Sequence, residues 1–236
     1  MIGEFGDKVT SCRTLNGIRD VFRKEVAQHG YSSSACRAFM RTGNREKSQI
    51  LFRDWPKGWA ELSDRKDYAA NSPIVATARN RTSAFTWLDT NSARLWTGAE
   101  QAVMDSAFAW GWRDGFVLPV HGPGGYFATV SMATSQRDLD QGSEQRLRLQ
   151  MIGMLAHERC LALANLDLGE SEHETLSVRE LQCLRWVADG QTDWEIGLIL
   201  SISAATVKFH VDGARKKLRA RNRAQAVARL MLAGLY

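Results

Sequence analysis

The stretch LSVRELQCLRWVADGQTDWEIGLILSIS, residues 176 to 203, contains two signals for the start of a helix. Ser177-Val-Arg-Glu180 and Thr192-Asp-Trp-Glu195 each place a hydroxyl three residues before a glutamate. In this capping box the hydroxyl accepts a hydrogen bond from the amide of the glutamate, whose carboxylate accepts one from the amide of the capping residue. We therefore predict one helix that ends before Gly190 and a second that ends near Leu200.

A third and a fourth helix are predicted from signals of the same kind. Ser203 is placed to cap a helix from Ala204 to about Leu218, and Asn222 to cap one that ends near the C-terminus. Only three residues join the second helix to the third, which is typical of a helix-turn-helix whose second helix enters the major groove of DNA. Residues 176–236 are therefore predicted to form a small all-α DNA-binding domain.

The basic residues of the chain are concentrated in this same region. The 236 residues include 31 Lys and Arg and 26 Asp and Glu, which gives a net charge of +5. From Ile196 onward there are eight bases and one acid, Asp212, whereas residues 1–173 are close to neutral. A solvated helix face would normally mix both signs, so this distribution favours binding to a polyanion.

The predicted third helix has an inward and an outward face. The inward stripe, at helical spacing, consists of Val207, Val211, Ala214 and Leu218. Lys208 and Asp212 lie one turn apart on the outward face and are predicted to contact base edges, since lysine suits guanine acceptors and a carboxylate suits the cytosine amino group. An exposed salt bridge between these two is the alternative. Phosphate contacts are predicted for Thr206, Arg215, Lys216 and Lys217.

The sequence upstream, residues 1–165, mixes helical and strand-like patterns. Helices are predicted at 15–26, 64–79, 98–110 and 143–166, and strands at 35–40, 50–52, 83–87, 116–120 and 126–132. The glycine-rich run His121 to Gly125 joins the last two strands as a hairpin. We predict an α+β domain with an antiparallel sheet and helices on its faces, followed by an acidic linker at 166–175.

Six of the eight tryptophans fall within one stretch, between Trp55 and Trp112. Each of them taken singly is best explained as part of the core. A cluster that also contains Ser63, Tyr68, Ser72 and Ser131 is typical of an apolar pocket with a few orienting polar groups. The sequence therefore predicts a small-molecule site in the first domain.

Other classes of protein find little support in the residues. The run His157 to Leu161 lacks the second histidine of a zinc-protease motif, and Gly122 to Gly125 precedes a strand, unlike a phosphate loop. The four cysteines form no Cys-x-x-Cys pair. No leader sequence or membrane-spanning stretch is recognised. We predict a cytoplasmic protein that is not an enzyme and has no catalytic residues, bound metal or cofactor.

The C-terminal residues resemble the DNA-binding domain of LuxR-type regulators. Glu180, Leu184 and Gly190 match signature positions of that family. The segments Trp186-Val-Ala188 and Phe209-His210 are similar to its quorum-sensing branch. Gly197 stands where the family usually has alanine, which predicts looser packing between the helices of the motif.

The resemblance extends upstream to the family's acyl-homoserine-lactone-binding domain, an α-β-α sandwich. It is carried by Trp55-Pro-Lys-Gly-Trp59, Tyr68, Pro73-Ile-Val75, Phe85-Thr-Trp87, Gly111, Gly115, Pro119 and Gly125. The resemblance implies that Trp59 donates to the lactone carbonyl, Trp87 walls the lactone ring and Ser131 serves the region of the acyl carbonyl.

Two positions depart from the family's pattern. Ser72 replaces the aspartate that accepts the amide N–H of the ligand, and Ser63 replaces a tyrosine. A serine oxygen can accept the same hydrogen bond, but without the charge assistance that roughly doubles its strength. The predicted ligand is an N-acyl or aryl homoserine lactone. The alternative is a ligand-independent regulator or an inhibitory heterodimer partner of the same shape.

The resemblance also implies partners. They are double-stranded promoter DNA with two-fold symmetry, a second copy of the chain, and RNA polymerase as a further candidate, with no membrane. The helix at 143–166 places Leu147, Met151, Met154 and Leu155 on one side, which predicts a contribution to a homodimer interface. A helix closed within its own core is the alternative.

Overall fold

The computed structural model describes residues 2–42, 45–93, 95–137, 139, 142–164, 166 and 175–235. The chain divides into two compact units, one built mainly from the residues up to Leu166 and the other mainly from the residues that follow. Most of the predicted linker, residues 167–174, lies outside the described residues.

The first unit contains helices on both faces of a sheet. Its elements are α1 (Ile2–Ser11), α2 (Leu15–Ala27), β1 (Ser33–Thr42), β2 (Arg45–Asp54), α3 (Lys57–Arg65), α4 (Pro73–Ala78), β3 (Phe85–Thr86), α5 (Trp87–Ala93), α6 (Gly98–Ala109), β4 (Asp114–His121), β5 (Phe127–Thr134) and α7 (Ser143–Ala164). The second unit is helical, with α8 (Val178–Ala188), α9 (Asp193–Leu200), α10 (Ala204–Lys217) and α11 (Arg223–Leu232). The predicted fold class is confirmed.

The sheet has the strand order β2-β1-β5-β4-β3. Its central strand, β5, pairs antiparallel with both neighbours, so that Ser131 lies opposite Ala35 on one side and Val117 on the other. On one face, Leu118 and Val130 approach Gly153 of α7 closely. On the other face, the rings of Phe39 and Phe127 stack at 5.2 Å, in a buried cluster that includes residues of α4 and α6.

The sequence-based prediction did not include α1, and it differs from the structure at two places between α3 and α5. The helix predicted at 64–79 is wrong, because α3 ends at Arg65 and α4 begins only at Pro73. A proline fits the first turn of a helix and disfavours helical backbone just before it. Trp87, predicted at the end of a strand, is instead the first residue of α5. There the carboxylate of Asp89 accepts a hydrogen bond from the amide of Thr86, and the hydroxyl of Thr86 accepts one from the amide of Asp89. This pair marks the start of a helix and was not included in the prediction.

The helix starts of the second unit are confirmed. Both capping boxes form, with Ser177 paired to Glu180 and Thr192 to Glu195. Ser203 caps α10 and Asn222 caps α11. The predicted inward stripe of α10 is buried at all four positions, Val207, Val211, Ala214 and Leu218.

Gly197 brings the turn of the helix-turn-helix close to α9. A Cβ atom at this position would lie 2.7 Å from the carbonyl oxygen of Ile202 and 3.4 Å from the amide of Ala204, both backbone atoms. The expectation that glycine loosens the motif is therefore wrong, because here it permits a tighter approach than alanine would.

No single helix in the described ranges is long and apolar enough to span a membrane. Helices α9 and α10 taken together reach the necessary length and composition, but they are bent by 105°.

Candidate functional site

All seven residues predicted to bind a ligand line two adjoining cavities of the first unit. The Trp87 cavity, about 90 Å³, is bounded by Trp87, Trp112 and Met104, and the Arg37 cavity, about 100 Å³, by Arg37, Ser63, Tyr68 and Thr129. The two cavities share Trp55, Trp59, Ser72, Val103 and Ser131 on their walls. The structure thus brings together residues from β5, from α3 and α5, and from the segments that precede α3 and α4.

The shared wall and the Trp87 cavity are rich in aromatic rings. Trp59 contacts Trp112 edge-on at 4.9 Å between ring centroids, and it lies 5.4 Å from Tyr68. Trp87 in turn meets Trp112 at 6.5 Å. Trp112 belongs to the stretch of six tryptophans but was not among the residues predicted to bind a ligand. Its position in that stretch could have indicated that it lines the cavity.

Two buried polar groups of the Trp87 cavity have hydrogen-bonding capacity to spare. The indole nitrogen of Trp87 and the hydroxyl of Ser34 are buried and have no hydrogen-bond partner within the described part of the chain. A buried donor without a partner costs about 1 to 3 kcal/mol. The Trp87 nitrogen faces Gly115, where a Cβ atom would lie 2.5 Å from it, so of these two groups it is the hydroxyl of Ser34 that can bond a small molecule within the apolar walls.

The position of Trp87 depends on the lack of a side chain at Gly115. A Cβ atom at residue 115 would lie 2.5 Å from the Trp87 ring and 2.6 Å from the carbonyl oxygen of Met132. The backbone amide of Trp87 is held at the same place, since it donates to Asp114 Oδ1 at 3.1 Å. Burial raises the pKa of the Asp114 carboxyl, although backbone N–H groups oppose the shift.

The hydroxyl groups of Ser72 and Ser131, at the boundary of the two cavities, each make one hydrogen bond to the backbone. Ser72 caps α4 through a 3.4 Å hydrogen bond from the amide of Val75, and Ser131 donates to the carbonyl of Ala35 at 3.4 Å. A hydroxyl has one donor and two acceptor positions, so Ser72 can cap the helix and still accept from a ligand. Tyr68 bonds Ser106 at 2.8 Å.

Arg37 is a lining residue that the sequence analysis missed. It lies on β1 opposite Thr129 of β5, and both side chains border the Arg37 cavity. A charged residue within the apolar strand predicted at 35–40 was the signal that could have identified it.

The exposed face of α10 carries the predicted base-reading residue Lys208. Asp212 pairs with Arg215 at 3.2 Å, rather than with Lys208. Phe209 is 73% exposed beside Lys208, although an aromatic ring of that size is normally covered. Phe209 matched the resemblance but was not among the residues predicted to contact DNA.

Some of the residues predicted to contact phosphate already bond other side chains of the second unit. Lys216 is exposed, and the hydroxyl of Thr206 bonds that of Ser203 at 2.7 Å. Lys217 donates to Glu180 Oε2 at 2.8 Å, within the unit. Burial would raise the pKa of Glu180, but hydrogen bonds from Lys217 and Ser177 lower it below its ordinary value. A phosphate contact by Lys217 stays a prediction that this ion pair opposes.

Metal-binding clusters are not found among the described residues, where no three His, Cys, Asp or Glu side chains are placed to hold an ion. His157, in the segment compared with the zinc-protease motif, is buried in α7. Burial lowers its pKa to about 4. That the protein needs neither metal nor cofactor stays a prediction.

Comparisons with known proteins match two family models to the chain. Residues 14–160 match the family described as the autoinducer binding domain, and residues 174–230 match the luxR family of bacterial regulatory proteins. The chain is 34% identical to the quorum sensing-dependent transcriptional regulator RpaR of Rhodopseudomonas palustris, over 78% of this chain and 74% of that protein. It is 32% identical to the transcriptional activator VanR of Vibrio anguillarum, over 93% and 88%. In fold it is similar to Escherichia coli SdiA, with a TM-score of 0.65 and 22% identity over 97% of this chain and 94% of that one.

The contact between Gly115 and Trp87 leads to a test of the cavity's construction. We expect Gly115→Ala to lower the free energy of unfolding by about 1 to 3 kcal/mol, because the methyl group must displace backbone or a buried ring. Gly98→Ala is the matched control, since a Cβ there meets nothing within 4 Å. Urea unfolding of both variants makes the measurement, and equal stabilities would contradict the close approach at residue 115.

Proposed function

This chain belongs to the LuxR family of quorum-sensing transcriptional regulators, and on that premise we propose that it binds an N-acyl or aryl homoserine lactone and a two-fold-symmetric promoter site. The observation that carries the ligand part is the convergence of all seven predicted residues on two adjoining cavities. The lactone-bound regulator acts in the cytoplasm without a further cofactor.

The lactone ring occupies the Trp87 cavity in this proposal. Trp59 donates to the ring carbonyl, Trp87 walls the ring, and Ser131 contacts the acyl carbonyl at the boundary between the cavities. Ser72, at the same boundary, accepts the hydrogen bond of the ligand amide. The acyl or aryl group then extends into the Arg37 cavity.

Ligand binding is coupled to folding and assembly. A ligand that binds only the folded unit stabilises it by mass action, so more of the protein is competent to dimerise. Helix α7 offers an interface, because Leu147, Met151 and Met154 are 58%, 42% and 37% exposed along one side. Leu155, the fourth residue predicted there, is half-buried and lies near Gly6 of α1. Two recognition helices, one from each copy, would then read half-sites one DNA turn apart.

Base reading is assigned to the exposed face of α10. Lys208 reaches guanine acceptors, and Phe209 presents an apolar ring suited to the methyl group of thymine. Asp212 can accept from cytosine only if its pairing with Arg215 is shared or exchanged. Lys216 supplies phosphate affinity, and RNA polymerase remains a proposed partner of the DNA-bound dimer.

The second candidate is a ligand-independent regulator or an inhibitory partner of the same shape. The observation that favours it is at Ser72, whose hydroxyl is already engaged as the cap of α4. If Ser72 serves only that purpose, the cavities are an aromatic core and the response to lactones is lost.

Substitution of Ser72 separates these two candidates. Asp and Asn cap helices as well as Ser does, but only Asp adds a charge-assisted acceptor. We expect Ser72→Asp to strengthen thermal stabilisation by common acyl homoserine lactones, Ser72→Asn to change it little, and Ser72→Ala to remove it, since an unpaired amide costs about 1 to 3 kcal/mol. Equal DNA binding with and without every lactone tested, together with silent variants, would favour the second candidate.

For the DNA contact we expect Lys208→Ala to reduce discrimination between the selected promoter site and random DNA by about 1 to 3 kcal/mol, because a base contact is lost. Lys216→Ala is the control and should weaken binding to both DNAs alike. Titrations at one fixed salt concentration make the comparison. If Lys208→Ala leaves the discrimination intact, Lys208 does not read bases.

The proposed dimer interface is tested by Leu147→Asp. A charge placed in a buried contact is unfavourable, so we expect this variant to sediment as a monomer at concentrations where the parent protein is a dimer. Leu88→Asp is the matched control, since Leu88 is 60% exposed but lies on α5. A dimeric Leu147→Asp variant would place the interface elsewhere.

A further inference from the structure

The Arg37 cavity differs in character from the Trp87 cavity. Its lining residues include Arg37 and two hydroxyl-bearing residues, Ser63 and Thr129, which are only 5% and 6% exposed. These groups lie beyond Ser72 and Ser131, on the side away from Trp87. Under the proposed function they surround the acyl group of the ligand, where apolar side chains alone would suit a plain hydrocarbon chain.

Arg37 retains most of its hydrogen-bonding capacity. Within the described residues its one hydrogen bond is from Nη1 to Ser48 Oγ, at 3.1 Å. A guanidinium carries five N–H groups and no acceptor, so further donors remain for another molecule. Arg37 is half-buried, and this burial lowers the pKa of its guanidinium. A half-buried charge with spare donors gains from an acceptor placed beside it.

The charges around Arg37 indicate which acceptor fits. Asp64 and Asp67 attract it and Arg53 repels it, so two carboxylates already balance the two guanidiniums. Arg53 Nη1 bonds both carboxylate oxygens of Asp64 at 2.8 Å. These four side chains together carry no net formal charge, so a further carboxylate would meet no excess of positive charge. An uncharged oxygen can accept from Arg37 without disturbing this balance.

Resting on the proposed lactone-binding function, we propose that Arg37 is a specificity-determining residue and that the acyl group carries an uncharged oxygen acceptor at its distal end. Arg37 donates to this oxygen, which can also bond the hydroxyl of Thr129 directly across the β1–β5 pair. Plain chains of the same length leave the guanidinium desolvated without a new partner and bind more weakly.

The test compares matched ligands on the full-length protein. N-acyl homoserine lactones with acyl groups of four to eight carbons are each paired with the analogue that carries a terminal hydroxyl, and a terminal carboxylate forms a third arm. We expect the hydroxylated ligand to bind about tenfold to a hundredfold more tightly than its plain partner at the preferred length, as for a hydrogen bond to a charged group. Dissociation constants come from calorimetry or from ligand-dependent shifts in melting temperature.

Two variants connect this preference to Arg37. Arg37→Met keeps much of the apolar stem and removes the guanidinium, so we expect the preference for the hydroxyl to vanish while plain chains bind at least as well. Arg65→Met is the control, because Arg65 is exposed on the adjoining α3 and borders neither cavity. It should leave the preference unchanged. If Arg37→Met does not fold, the comparison of ligands on the parent protein decides alone.

The remaining outcomes are distinct from one another. Tighter binding of plain chains at every length, or a preference that survives in Arg37→Met, overturns the role of Arg37 but leaves lactone binding intact. Tightest binding of the carboxylate overturns the uncharged acceptor. If no lactone of any arm binds, the proposed function fails, and the specificity argument fails with it.

Discussion

The central strand β5 is buried on both faces, and this constraint determines which of its side chains can border the two cavities. Because side chains alternate along a strand, one face of the sheet must supply the packing against α7 while the other supplies the cavity walls. Val130 lies on the α7 side, whereas Thr129 and Ser131 border the cavities. A shift of one residue in register would exchange these roles, so the apolar packing on one face fixes the polar groups on the other.

The second unit is organised around one carboxylate. Glu180 accepts from the amide of Ser177 at 2.7 Å and from Lys217 Nζ at 2.8 Å, and so joins the start of α8 to the end of α10. Gly213 leaves room for it, since a Cβ there would lie 2.6 Å from Glu180 Oε1. The signal that predicts a helix start in the sequence thus also helps to position α10.

The sequence predicted most reliably those features that depend on neighbours three or four residues apart. Capping boxes, the stripe from Val207 to Leu218 and the ends of α8 to α11 are of this kind. The break between α3 and α4 has a local cause as well, Pro73, which the prediction did not use. The close approach of Trp87 to Gly115 and the inward direction of Arg37 depend instead on strands and turns distant in sequence. The resemblance named seven residues that line the two cavities, but it could not indicate that Lys217 is engaged by Glu180 or that Arg37 borders the cavity.

Gly197 illustrates how a departure from a family pattern can be misjudged. Stabilised proteins are often designed by replacing each unusual residue with the most frequent one of its family. At this position that procedure would introduce alanine, whose methyl group would press against the carbonyl oxygen of Ile202, 2.7 Å away. The gain in helix propensity, about 1 kcal/mol, would be opposed by strain in the turn that orients the recognition helix. Consensus engineering of this regulator should therefore keep residue 197 as it is, and the same caution applies to chimeras that transplant α9 without its turn.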